Sequence, residues 1–261
     1  MEPPDLLQSW TAAAGRLRGA ARVAVFCDDD GTLLVAGQGS GEASLPPETA
    51  RNLKRLSALR RVTLGILSGR PVEELRSLVP VDNAWYSGLY GHEIRNPQGL
   101  ERRWYTRKEA RRIADLAERL GRELSPVAGV RLVGKGGALV VDLGGVADDR
   151  LREVQESVLR VWKTVGKGLR LWPGPRQMEL LASENRVKGT AVRFILGKIK
   201  SGTFPVYFGN DDTDLEAFRA LRRSGLRIGV GGVVSPHLDF RLPDPARVGV
   251  ALGRLADLLE T

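Results

Sequence analysis

Residues 23–33, Val23-Ala24-Val25-Phe26-Cys27-Asp28-Asp29-Asp30-Gly31-Thr32-Leu33, pass without transition from five apolar residues to three consecutive aspartates. An apolar run bounded so abruptly reads as a strand buried on both faces, the kind that belongs to a parallel sheet. In an open α/β sheet, ligands collect beyond the carboxyl ends of the strands, where Asp28 stands. Neighbouring carboxylates raise one another's pKa, so the cluster is costly unless a cation or a phosphoryl group uses it. Alternation along extended backbone puts Asp28 and Asp30 on one side and Asp29 on the other. Gly31 then lets the chain turn away. Asp-Gly is also an ordinary turn pair, but its position directly after a buried strand favours a site.

Outward from this stretch, short apolar runs alternate with amphipathic helical segments, the pattern of a parallel α/β sheet. Pro46 and Pro47 open a helix running to about Arg60, and Val62–Leu67 reads as a second strand. Pro71 suits a first helical turn. Val206–Phe208, Leu226–Val230 and Val248–Val250 read as further strands, with helices over about 212–223 and 251–259. The middle of the chain differs. A helix over about 107–124, strands at 129–133 and 138–143, a helix over about 148–165 and strands at 169–172 and 177–181 form an α-β-β-α-β-β order. The expected fold class is therefore α/β: a Rossmann-like core of residues 1–90 and 184–261, with an inserted α+β domain at 91–183.

With 40 Lys plus Arg against 31 Asp plus Glu, the formal charge is +9. The densest basic cluster, Arg102, Arg103, Arg107, Lys108, Arg111 and Arg112, is diluted by Glu101, Glu109 and Asp115 and reads as a solvated helix face. A nucleic-acid partner is not expected, whereas an anionic small molecule would benefit from such a field. The single cysteine, Cys27, excludes an internal disulfide and suits a reducing compartment. No apolar run reaches the ~18 residues of a membrane helix. The first twenty residues carry Glu2 and Asp5 where a signal peptide carries positive charge. The expectation is a cytoplasmic monomer with no membrane partner. Gly229–Gly232 lacks a nucleotide fingerprint and His237 lacks a second metal ligand, so neither carries a site.

Four short motifs, in order, resemble the signatures of the haloacid dehalogenase superfamily of phosphatases. They are Asp28-Asp29-Asp30-Gly31-Thr32, Ile66-Leu67-Ser68-Gly69-Arg70, Val187-Lys188-Gly189-Thr190-Ala191 and Gly209-Asn210-Asp211-Asp212-Thr213-Asp214. The insert between the second and third motifs, the stretch from Tyr86 to Gly99, and the Thr213-Asp214 ending look like trehalose-6-phosphate phosphatases and nearby sugar phosphatases. In that group the insert is a mobile cap. The resemblance implies that Asp28 attacks phosphorus and Asp30 serves as general acid and base. It also implies that Ser68 bonds a phosphoryl oxygen, with Gly69 and Arg70 beside it, and that Lys188 neutralises charge. Mg²⁺ would be held by Asp28, the Asp30 carbonyl and the fourth motif, through Asn210, Asp211 and Asp214. In the cap, Lys135 and Glu179 match sugar-contacting positions. The implied substrate is a sugar phosphate, trehalose 6-phosphate first and another glycoside phosphate second, while a non-catalytic phosphosugar-binding module is a further reading.

Several positions depart from that pattern. Asn210 stands where the family has an aspartate, and Tyr90 where it has a histidine, with His92 two residues later. Val133, Asp142, Gly144 and Leu181 stand where Glu, His, Arg and Arg are expected.

Overall fold

The computed structural model describes residues 2–36, 43–99, 101–183, 187–221 and 225–261. The first part of the chain forms α1 (Trp10–Leu17), β1 (Val23–Asp28), the short strands β2 (Val35–Ala36) and β3 (Ala43–Ser44), α2 (Pro47–Ala58) and β4 (Val62–Leu67). It continues with α3 (Val72–Leu78), β5 (Ala84–Gly88), β6 (Glu93–Arg95) and β7 (Glu101–Arg103). The middle contains α4 (Arg107–Leu124), β8 (Arg131–Gly134), β9 (Ala138–Asp142), α5 (Asp148–Val165), β10 (Arg170–Pro173) and β11 (Gln177–Leu181). The last part contains α6 (Lys188–Leu196), β12 (Phe204–Gly209), α7 (Leu215–Ala220), β13 (Leu226–Val230), β14 (Phe240–Leu242) and α8 (Pro245–Glu260).

Two compact units result, residues 1–102 with 186–261, and residues 103–185. In the first, the sheet order is β14-β13-β12-β1-β4-β5-β6-β7. Strand β1 pairs in parallel with β12 on one side and β4 on the other. The chain therefore leaves β1 toward one edge and later returns to its opposite flank, and this reversal opens a crevice at the carboxyl ends. Every residue of β1 is buried, as its unbroken apolar run requires. The Phe26 ring lies so close to Gly65 on β4 that a side-chain carbon there would stand 2.6 Å from it. Removing that ring is expected to cost about 3–5 kcal/mol, measured as the loss of unfolding free energy in Phe26→Ala.

The second unit is an antiparallel sheet of order β10-β11-β9-β8 with α4 and α5. Leu139, Val141, Met178 and Leu180 pack in one cluster with Ile113, Leu116 and Leu120 of α4 and Val154 and Val158 of α5. Helix α4 starts where a reciprocal cap forms: Thr106 Oγ1 accepts from the Glu109 N–H at 3.2 Å, and the Thr106 N–H donates back to Glu109 Oε2 at 2.7 Å.

Three sequence expectations change. Residues 91–102 belong with the core rather than with the insert, because Glu93–Arg95 returns antiparallel along β5. Val248–Val250 is helical, not a strand. Asp244 caps α8 by accepting the Arg247 N–H at 3.1 Å, Pro245 takes the first turn, and Val248, Leu252, Leu255 and Leu259 fall on its buried face. The missing edge strand is instead Phe240–Leu242, too short to carry a period. Of the helix expected over 212–223, residues 222–223 lie outside the described residues, and α7 covers 215–220.

Candidate active site

The carboxyl ends of β1, β4 and β12 bring the first, second and fourth motifs together. Asp28 closes β1 in register with Leu67, one residue before Ser68, and Asn210 follows directly on β12. Lys188 enters from the first position of α6. Its Nζ donates to Asp28 Oδ1 and, at 2.9 Å, to Asp214 Oδ1, and all three side chains are buried. Burial works against the ammonium, but Asp214 and Asp28 outweigh it and hold Lys188 well above the ordinary lysine value. Burial, with Asp214 adding to it, raises the Asp28 carboxyl, and Lys188 opposes that rise. A buried charge set of this kind is held only where its members satisfy one another.

Asp214 is fully engaged. Its Oδ1 also accepts the Tyr207 hydroxyl at 2.7 Å, and its Oδ2 accepts the backbone N–H groups of Asn210 at 2.9 Å and Asp211 at 3.3 Å. This carboxylate anchors Lys188 and the loop after β12, which leaves it a poor metal ligand. Asp211 lends Oδ1 to the Thr213 N–H at 2.8 Å and to its hydroxyl at 2.5 Å. Tyr207 was not singled out by sequence, although it lies on the buried strand two residues before Gly209. Thr32, within the first motif, donates to Asp28 Oδ2 at 3.3 Å.

The alternation expected through the aspartates ends at Asp28. The Asp29 carbonyl accepts the N–H groups of Leu33 and Leu34, both at 2.8 Å, so the chain has already turned. As a result Asp29 and Asp30 both meet Arg70. Asp29 is buried and accepts the Ser68 hydroxyl at 2.7 Å. Arg70 Nε stands 3.3 Å from Asp29 Oδ2, and the guanidinium also donates to both Asp30 oxygens, at 3.1 and 3.0 Å. The Asp30 side chain is 54% exposed, so it is open to solvent. The loop after β4 is pinned from behind: the Leu89 N–H donates to Arg70 O and the Tyr90 N–H to Ser68 O, both at 2.9 Å. Leu89 and Tyr90 adopt left-handed φ of 48° and 54° to do so. The Tyr90 ring covers Gly69, where a side-chain carbon would stand 2.5 Å from it.

Asn210 fits a cation. Gly31, at φ 75°, lets its backbone approach so closely that a side-chain carbon would stand 2.1 Å from Asn210 Nδ2. The amide Oδ1 is buried and has no hydrogen-bond partner. An orphaned carbonyl oxygen of this sort is what a hard divalent cation takes. Among the described residues, no group of three or more His, Cys, Asp and Glu could hold a metal. Asp211 follows Asn210 in the chain, and Asp28 ends the strand that pairs with β12. Cys27, in β1, packs fully buried in the core, where burial and the charge of Asp28 push its thiol up and disfavour the thiolate.

Lys135 and Glu179 lie in the second unit. Lys135 sits in the turn after β8, its N–H donating to Ala138 O at 2.7 Å. Glu179 is central in β11, paired with Val140 and Trp172 on the face opposite the helices, and accepts Gln177 Nε2 at 2.7 Å. Asp142 accepts Arg131 Nε at 3.0 Å and the Gly144 N–H at 2.8 Å, which holds its carboxyl below the usual range.

Comparison with known proteins shows what the chain is similar to. A trehalose-phosphate phosphatase of Mycobacterium avium strain 104 is 32% identical over 98% of this chain and 68% of its own length. A protein of Mycobacterium tuberculosis strain H37Rv, named as an uncharacterized glycosyl hydrolase, is also 32% identical over 98% of the chain, which spans only 20% of that protein. The C-terminal domain of the C. albicans trehalose-6-phosphate phosphatase superposes with a TM-score of 0.80 over 98% of each chain at 18% identity, a likeness of fold. Residues 26–237, which include every residue of the four motifs, match the trehalose-phosphatase family model, and the chain belongs to that family.

Proposed function

We propose that the chain is a Mg²⁺-dependent phosphatase that hydrolyses a sugar phosphate monoester, trehalose 6-phosphate first, through a phosphorylated Asp28. The observation that carries this reading is the buried Lys188 held between Asp28 and Asp214, at the strand ends where Asn210 leaves an orphaned oxygen.

In the first step an Asp28 oxygen attacks phosphorus and the bond from phosphorus to the sugar oxygen breaks. Asp30 gives that leaving oxygen its proton. In the second step Asp30 takes a proton from water as the water oxygen attacks phosphorus and the Asp28–phosphorus bond breaks. This division into two displacements is nucleophilic catalysis. Lys188 holds positive charge at the Asp28 oxygen throughout, the electrostatic stabilisation that phosphoryl transfer depends on. Ser68, whose proton rests on Asp29, exchanges that acceptor for a phosphoryl oxygen. Mg²⁺, held by Asp28, Asp211, Asn210 and the Asp30 carbonyl, would offset charge on the transferring oxygens.

Asn210 brings an oxygen but no charge, so one attractive term is missing beside the cation. Asn210→Asp is therefore expected to lower the Mg²⁺ concentration giving half-maximal activity. An unchanged titration would remove Asn210 from the ligand set.

For the sugar, Lys135→Ala and Glu179→Ala are expected to reduce kcat/KM on the true sugar phosphate about tenfold while sparing a small aryl phosphate. Equal losses on both would show that these residues do not read the sugar. Because Asp142 is tied to Arg131 and Gly144 where the family has a histidine, another glycoside phosphate, such as a glycosylglycerate or glycosylglycerol phosphate, is the second reading.

A further inference from the structure

The phosphatase reading uses Asp28 and Asp30 and leaves Asp29, the residue between them, without a task. Its side chain is only 3% exposed. A buried carboxylate at a strand end is costly unless it is bonded, and besides the Asp30 backbone it meets two side chains of the loop after β4. Ser68 gives it a hydroxyl proton at 2.7 Å, and Arg70 Nε stands 3.3 Å away. The Ser68 oxygen in turn accepts the Arg70 N–H at 2.8 Å. The backbone of this loop is fixed from behind by residues 87–90, with the Ser68 N–H donating to Ser87 O at 2.9 Å. That pinning sets the main chain, whereas the hydroxyl rotor still needs an acceptor, and the arginine side chain, whose other acceptors Asp30 and Glu74 are more exposed, finds in Asp29 its buried one.

We propose that Asp29 is a positioning residue. It holds the Ser68 hydroxyl beside the phosphoryl site until a phosphoryl oxygen takes that proton, and it anchors the guanidinium that clamps Asp30. It touches no reacting atom; it acts through Ser68, which meets the phosphoryl group, and through Arg70, which meets Asp30. The inference rests on the reading of Asp28 as the phosphorylated centre.

A distinctive kinetic pattern follows. Asp29 adds negative charge close to an anion site, so its removal alone favours phosphate binding. Loss of its hydrogen bond and ion pair disorders Ser68 and Arg70, and misplaced groups lower the rate of the chemical step. With p-nitrophenyl phosphate and Mg²⁺, Asp29→Ala is expected to lower kcat about ten- to hundredfold, with KM and the inhibition constant of inorganic phosphate unchanged or lower. Asp29→Asn keeps an oxygen for the Ser68 proton and should recover kcat to within about threefold of wild type. Asp29→Ala combined with Arg70→Ala should cost less than the product of the two single effects, since the contact between Asp29 and Arg70 is lost in both.

A readout that needs no turnover accompanies these measurements: solvent exchange of the Arg70 Nε–H, followed by nitrogen-15 NMR. Because this N–H also donates to Asp30 Oδ2 at 3.1 Å, exchange is compared in an Asp30→Ala background, where it should be at least about tenfold faster with Asp29→Ala than with Asp29 intact, and little changed with Asp29→Asn. Unchanged exchange, a kcat within twofold of wild type, or full additivity with Arg70→Ala would each overturn the positioning role. Absence of phosphate release from wild type, with the exchange result as expected, would overturn the phosphatase reading while leaving Asp29 as the anchor of Arg70.

Discussion

Asp28→Asn is expected to lower phosphate release at least about a thousandfold, because the amide that replaces the nucleophile cannot form the covalent intermediate. The fold should survive. An asparagine has the same shape, Thr32 can still donate to its oxygen, and Lys188 keeps Asp214 as a partner at 2.9 Å. The paired measurement is acid-quench mass spectrometry during turnover. Wild type should carry one phosphoryl group on the peptide that contains Asp28, and the variant none. Phosphate release near the wild-type rate in the variant would remove Asp28 from the mechanism.

Lys188→Met is expected to be nearly as severe, and it should affect stability as well as rate. In the folded protein the ammonium lies between two buried carboxylates, and Asp214 also draws on Tyr207 and two backbone N–H groups. Removing the cation leaves uncompensated buried charge, which typically costs about 3–5 kcal/mol. It also withdraws positive charge from the nucleophile, worth about 10²–10³ in rate. Unfolding and steady-state rates of the same preparation measure both. The companion variant Tyr207→Phe removes only one of the four donors to Asp214, so it should cost about 1–3 kcal/mol and leave most activity in place. If Lys188→Met were as stable and active as wild type, the contact would be incidental.

Much of this is legible in the sequence. The run 23–27 had to be a doubly buried central strand, because it offers no polar face, and the three aspartates after it had to lie at a strand end. The α-β-β-α-β-β order of the middle exposed the insert. Its first edge was less visible, since Glu93–Arg95 is a three-residue strand whose sheet membership comes from pairing with β5 rather than from any periodicity of its own. Val248–Val250 misled because two valines flanking Gly249 suit a strand locally, whereas the cap at Asp244 and the buried stripe of α8 decide for a helix.

The site shows the same division. Lys188 and Asp28 were readable as partners only through their motifs, being 160 residues apart. Asp29 could not be read correctly at all. Alternation assigned it to the opposite side, but the tight turn on its own carbonyl rotates it toward Ser68, 39 residues further on. Asp214 had the residue type of a ligand, and only the count of donors around it shows that its oxygens are already committed.

The central claim is that this crevice hydrolyses a sugar phosphate monoester. It is tested most directly by phosphate release with Mg²⁺ over a panel of sugar phosphates that includes trehalose 6-phosphate, with Asp28→Asn as the blank. The account predicts release from at least one member, highest kcat/KM on trehalose 6-phosphate, and none above background in the blank. No release from any member, or equal release from the blank, would contradict it.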